Sequence, residues 1–223
     1  MNATKSPAMR PRRTPLPVLK HTLAAALISS ASWAPAAAAS CGPLENQYGP
    51  FDYVTQKSRL GVVEQHHFTP QVEALIKGAT SVSASEDIDY TLRAFPNHHR
   101  ALLSLVRLAE KKRSSQPVGL GYSVECYFER ALRFRPKDST VRMIYASYLF
   151  KDQRDAQANQ QLELAAVAAG DNPFTHYNIG LLYLERQNYA QALIHAHKAY
   201  AQGFPQPMLR EQLQLQGKWK EPN

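Results

Sequence analysis

The sequence predicts an all-α chain: an α-solenoid of about three and a half stacked helix pairs, with an N-terminal arm and a C-terminal capping helix. Two observations carry this. The apolar pattern of the stretch from Ser139 recurs in register 34 residues later, from Pro173, and a fixed period of that size marks stacked helical units. The matched positions also share one alternation of bulk and smallness. Ile179, Gly180, Tyr183, Ala192, Ala196 and Ala199 stand opposite Tyr145, Ala146, Leu149, Ala158, Leu162 and Ala165. Small residues let two antiparallel helices approach, and bulky ones fill the space between neighbouring pairs.

The elements follow in chain order. Residues 1–39 carry five basic residues (Lys5, Arg10, Arg12, Arg13, Lys20) and no acidic one, then an uncharged Ala-rich run from Thr22, then "APAAAASC". That order is the basic region, apolar region and small-residue cleavage site of a secretory signal, with cleavage expected near Ala39. The run is mostly Ala and Ser with Pro35 inside it, which argues against a stable span. Export to the periplasm or beyond is therefore expected, with no integral membrane segment after cleavage. Ala38 stands where a lipoprotein signal usually has Leu, so lipidation of Cys41 is the lesser alternative.

Residues 40–84 read as an arm. Thr69-Pro70 is a helix start, a capping residue followed by proline at the first helical position, and predicts a short helix over 71–77. Tyr48, Phe51 and Tyr53 suggest an extended segment that lies on the solenoid and buries its rings, with about twelve residues of the arm irregular.

Residues 85–223 form the repeat region. A leading half repeat is expected over 85–95, with Ile88, Leu92 and Phe95 on one face and Asp87 and Asp89 at the positive end of the helix dipole. In the first full copy Leu102, Leu105, Val106 and Ala109 face inward, then Val124, Phe128 and Ala131. Its register needs six extra residues, which the Ser/Pro/Gly-rich stretch 111–123 accommodates. The last element, over 207–216, has Met208, Leu209, Leu213 and Leu215 at helical spacing and an outer face of Arg210, Gln212, Gln214 and Gln216. A solenoid needs such a polar-faced cap.

The segment "HYNIGLLYLERQNYAQALIHAHKAY" (176–200) resembles a tetratricopeptide repeat almost position by position. The resemblance covers roughly residues 85–216. It implies a non-enzymatic scaffold or adaptor of exported bacterial type, holding a protein or peptide in a concave groove within a cell-envelope assembly. Carried over residue by residue, the groove positions are Arg100, Leu103 and Arg107; Thr140, Met143, Ser147 and Phe150; and Phe174, Tyr177, Leu181 and Leu184, with Asn178 beside them. The lysines and second asparagine of a chaperone-type carboxylate clamp are missing, which argues against a free C-terminal carboxylate as ligand. Residues of the chain's own arm, Tyr48, Phe51 or Tyr53, are a competing occupant of the groove.

Composition narrows the alternatives. The whole chain has a net charge of +8, but five of its 26 basic residues lie in the signal, leaving 21 against 18 acidic ones. Nucleic-acid binding loses its main support. A local cluster of Arg130, Arg133, Arg135, Lys137 and Arg142, with Lys111, Lys112 and Arg113 nearby in sequence, leaves a second reading open: docking to an anionic polysaccharide or lipid. The two cysteines, Cys41 and Cys126, read as a disulfide in an oxidising compartment. Helix geometry turns Cys126 about 200° from Val124, toward the outside, so the arm would be stapled to the outer face.

A metal-dependent hydrolase is the remote alternative. His66-His67 and His98-His99 invite it, with Asp52, Asp87 and Asp89 as carboxylates. Adjacent histidines on a helix point about 100° apart, however, and no HExxH, CxxC or GxSxG is present. No catalytic residue, cofactor or metal site is expected.

Overall fold

Most of the longer helices among the described residues begin at a residue whose side chain accepts a hydrogen bond from the first turn. The structure, a computed structural model, describes Met1 and residues 41–80 and 83–222. The chain divides after residue 39, and every described element belongs to the unit 40–223; the signal-like segment lies outside the described residues. The described elements are all helical. A 3-10 turn, Lys57–Arg59, leads into α1 (Leu60–His66), α2 (Pro70–Glu73), α3 (Ala84–Ala94), α4 (His99–Lys112), α5 (Val124–Phe134), α6 (Ser139–Lys151), α7 (Asp155–Ala169), α8 (Pro173–Glu185), α9 (Tyr189–Ala201) and α10 (Met208–Leu215). Among the described residues no helix is long and apolar enough to cross a membrane.

The caps explain the starts. Ser123 accepts from the Cys126 amide at 3.3 Å, Asp138 from Val141 at 3.0 Å, Asn172 from Thr175 at 3.0 Å and Asn188 from Gln191 at 3.3 Å. Each satisfies one of the orphan amides of a first turn. Three of the stops share one device. Arg113, Gln153 and Gln187, which follow α4, α6 and α8, are left-handed at φ 50°, 59° and 57°. Behind them the amides of Ser114, Arg154 and Asn188 reach back to the carbonyls of Ala109, Leu149 and Tyr183 at 3.1, 2.9 and 2.9 Å. This closes the last turn of each helix as a Schellman motif does.

Of the helix pairs, α6 with α7 and α8 with α9 make the broadest contacts. Their shared interiors are the positions expected from the sequence: Ala146, Ala158, Leu162 and Ala165 in one, Ile179, Ala192, Ala196 and Ala199 in the other, all at 0% or nearly so. Tyr145 stacks on Phe128 of α5 with ring centroids 4.6 Å apart, linking one pair to its neighbour.

Gly180 shows why a missing side chain is needed. A Cβ there would come within 2.5 Å of a methyl of Leu209 on α10, and 3.4 Å from the Ala192 carbonyl on α9. Three helices therefore meet over this residue. Gly180→Leu is expected to cost roughly 1–3 kcal/mol by overpacking, and to free α10 first. A thermal melt followed by hydrogen exchange over 208–215 checks this; parental melting and unchanged protection of α10 would refute it.

The arm departs from expectation. The predicted helix over 71–77 is a single turn, α2, capped by Thr69, and the chain leaves it through Leu75 at φ 57°. An unpredicted helix, α1, precedes it, burying Leu60 and Val63; Gly61 in its first turn weakened that signal. Phe95 lies past the end of α3 and joins Leu60, Val63 and Ala94 in a second small core, not the main one.

Candidate functional site

The groove positions implied by the resemblance lie on α4, α6 and α8, and the structure treats them unequally. Arg100 is held by the arm: its guanidinium donates to both carboxylate oxygens of Glu73, one at 3.0 Å, and to Glu64 at 3.2 Å. This contact holds the Glu73 carboxyl below its ordinary range, the Arg100 hydrogen bond being the main cause, and raises Arg100 in turn. Arg107 donates to Ser104 Oγ at 3.0 Å and reaches the Glu73 carbonyl at 3.4 Å. One turn further, Lys111 donates to the Leu75 carbonyl at 3.1 Å. These three cations along α4 are thus spent on Glu64 of α1 and on the Glu73 side chain and carbonyl end of the short α2 helix.

The arm reaches these cations with acidic groups and carbonyls, and Arg100 also meets two of its rings, lying over Phe68 at 5.5 Å and beside the Tyr53 hydroxyl. Phe51 packs on Phe95, and Tyr53 on His98, with centroids 5.5 and 4.2 Å apart; Tyr48 lies against Phe51. Neither Tyr48, Phe51 nor Tyr53 is placed against α6 or α8 by these contacts.

On α6, Met143 and Phe150 are buried, and Arg186 lies over the Phe150 ring at 5.3 Å; Thr140 and Ser147 are half-buried. On α8, Tyr177 is buried against Phe204, centroids 4.4 Å apart. Asn178 donates to the Phe174 carbonyl one turn back at 2.7 Å. Leu181 and Leu184 are half-buried against the core. The accessible apolar groups of the set are Leu103, 46% exposed, and Phe174, 55% exposed.

No family model, no curated protein and no solved structure matches this chain.

The basic cluster is largely consumed inside the fold. Arg130, 2% exposed, donates to the carbonyls of Cys41 and Pro43 at 2.9 and 2.6 Å and lies over the Tyr122 ring at 4.5 Å. Arg133 donates to the Gly42 carbonyl at 2.6 Å, Arg135 pairs with Asp52 at 3.0 Å, and Arg142 bonds Gln161 and the Pro136 carbonyl, each at 2.8 Å. These cations clamp the arm onto α5 or tie neighbouring helices. Sequence alone showed their charge but not the carbonyls they meet. The Cys41–Cys126 disulfide sits in the same clamp, with Cα atoms 5.1 Å apart. Cys41 is buried and Cys126 half-buried under the arm, so the face of α5 that helix geometry turned outward is covered.

Asn97 is the residue that sequence reading passed over. It is fully buried, its carbonyl accepts from the Tyr53 amide at 3.0 Å, and its amide donates to Asp52 at 3.2 Å and Asp138 at 3.0 Å. Burial raises the Asp52 carboxyl, but the Val54 amide, Asn97, Thr55 and Arg135 together bring it below the ordinary value. For Asp138, burial is likewise outweighed, by His99, Asn97 and the Val141 amide. An Asn beside a Pro reads as turn chemistry, which hid this second task.

The histidine pairs do not converge. His98, fully buried, caps α4 by accepting from the Ala101 amide at 3.1 Å. Burial first, then the Arg100 charge, pushes its pKa down to about 3. His99 contacts Asp138, while His67 contacts Asp87 and stacks on Tyr90. Asp87 also accepts from the Ala79 and Thr80 amides, and Asp89 from Arg93 and the Gly121 amide. Both carboxylates anchor loops and not merely the helix dipole.

Proposed function

We propose that residues 85–216 are a tetratricopeptide-like solenoid and that the chain is a scaffold binding a protein or peptide partner across α4, α6 and α8. The observation that carries this reading is the recurring left-handed turn. It falls at Arg113, Gln153 and Gln187 with equivalent backspanning hydrogen bonds, and α6 and α8 both start and end 34 positions apart. From Gln153 to Gln187 the interval is 34 residues, and from Arg113 to Gln153 it is 40, the six extra residues falling between α4 and α5; one turn geometry recurring between successive helix pairs is what a stacked repeat produces. The short α2 touches both α3 and α4, as the first helix of a leading repeat would. The disulfide agrees with an oxidising compartment, and export to the periplasm follows from the signal-like residues 1–39.

The partner is apolar at its contact points. Arg100 and Arg107 are engaged by Glu73 and its neighbours, so an acidic terminus is not what this surface offers to hold. Leu103 on α4 and Phe174 on α8 are the exposed anchors, with half-buried Thr140 and Ser147 on α6 and Leu181 and Leu184 on α8. An extended or helical segment bearing aliphatic or aromatic side chains suits such a surface.

Site-specific photo-cross-linking in the producing cell tests this. A cross-linking residue in place of Leu103 or Phe174 is expected to yield one discrete adduct. The same residue in place of Val167, 82% exposed on α7, is expected to yield none. Adducts from Val167 alone would move the binding surface to the other helices.

A further inference from the structure

Three side chains able to bind a metal meet where the arm joins α5. Cys126 and Glu129 lie three residues apart on that helix and share a face; the arm delivers Cys41 to them. The two sulfurs, bonded to each other in the structure, and a Glu129 carboxylate oxygen lie within 4.8 Å of one another, the only such group of three among the described residues. Glu129 Oε2 is 3.0 Å from the Cys41 sulfur. Beside them sits Arg130, a buried cation whose described partners are two carbonyls and an aromatic ring, and whose Nε has no hydrogen-bond partner.

We propose that Cys41, Cys126 and Glu129, once the disulfide is reduced, form a site for a zinc-like divalent cation, with water as the fourth ligand. A dithiol reductant breaks the sulfur–sulfur bond, giving two electrons and two protons to the sulfurs and itself closing to a cyclic disulfide. Metal binding then releases the two thiol protons, because thiolates are the ligands. Two thiolates and one carboxylate suit a borderline-soft cation.

Two features favour the site. The first is position: the hydrogen bonds from Arg130 and Arg133 to the carbonyls of Cys41, Gly42 and Pro43 do not depend on the disulfide. They keep the thiols adjacent after reduction. Zinc–sulfur bonds of about 2.3 Å in a tetrahedral site place the two sulfurs about 3.8 Å apart. The second is charge. Three anionic ligands around a divalent cation leave one negative charge, next to the buried Arg130 guanidinium, and a buried cation is stabilised by such a counter-charge. Glu129 is exposed and Cys126 half-buried, which leaves room for the water. The arm would then be latched to α5 by a covalent bond when oxidised and by a metal when reduced.

The test uses the purified chain, reduced with a phosphine under nitrogen and desalted, beside an oxidised control. Zinc chloride and cobalt(II) chloride are the probes. Reduced protein is expected to take up one equivalent of zinc and to show thiolate-to-cobalt charge-transfer absorption; oxidised protein shows neither. Cys126→Ser is expected to abolish uptake, and Glu129→Gln to weaken it at least tenfold. Circular dichroism of the reduced, metal-free chain controls for unfolding. Loss of its helix content, absence of uptake, or uptake unweakened by Glu129→Gln would each overturn the proposal.

Discussion

Cys126→Ser is expected to lower the melting temperature by about 8–16 °C, with helix content at room temperature unchanged. The Cys41–Cys126 bond spans 85 residues of sequence. In the chain-entropy treatment, removing a cross-link of that span costs about 4 kcal/mol, chiefly by enlarging the unfolded ensemble. A domain of this size moves about 2–4 °C per kcal/mol. The folded state keeps its other fastenings: Arg130 and Arg133 on the arm carbonyls, the Phe51 amide donating to the Ala94 carbonyl at 2.8 Å, and the Asn97 hub. The variant should therefore melt early but fold normally. Parental melting of Cys126→Ser would mean that the bond does not form in solution.

Acid should destabilise the protein well above the range where carboxylates titrate. His98 and His195 are both buried, and burial pushes their pKa values down to about 3 and about 4 from an ordinary 6.5. His195 sits 3.0 Å from His176, whose Nε2 contacts the Gly170 carbonyl at 2.8 Å, so its surroundings offer no anion to stabilise a charge. As pH falls from 6.5, the unfolded chain binds protons at these two positions while the folded chain does not. Stability is thus fully present above about pH 6.5 and declines toward pH 4. At pH 5 the loss is about 2 kcal/mol per histidine, about 4 kcal/mol together, by proton linkage. Asp52, Asp87, Asp138 and Glu73 have depressed pKa values, so their contribution is lost only on further acidification, below their unfolded values near 4. Urea unfolding from pH 7 to 4.5 measures the slope. His98→Asn keeps a capping side chain on α4 and removes one titrating group, so the slope should halve. A flat profile between pH 7 and 5 would contradict the burial of both rings.

Much of this was legible in the sequence. The packing of α6 to α9 was written in the spacing of Ala158, Leu162 and Ala165 and of Ala192, Ala196 and Ala199, because a helix presents the same face every three to four residues. The C-terminal helix α10 and the pairing of the two cysteines also came from local pattern and count. The arm was not legible in this way. Many of its contacts join residues far apart in sequence, Arg100 to Glu73 by 27 positions and Arg133 to Gly42 by 91, and no local period encodes them. α1 was missed for the same reason, since Leu60 and Val63 find their partners in Ala94 and Phe95.

The sequence by itself determined an all-helical chain, the starts of α6 and α8, and the small residues on which those helix pairs cross. It did so because helix periodicity, caps and stops act within a few residues of one another. Only the tertiary structure decided that Arg100 and Arg107 are engaged by Glu73, that Arg130 is a buried clamp, and that Tyr177 and Phe150 are largely covered. A charge or a ring reads the same in sequence whether it faces water or a carbonyl. Its availability is set by what the chain brings back from far away.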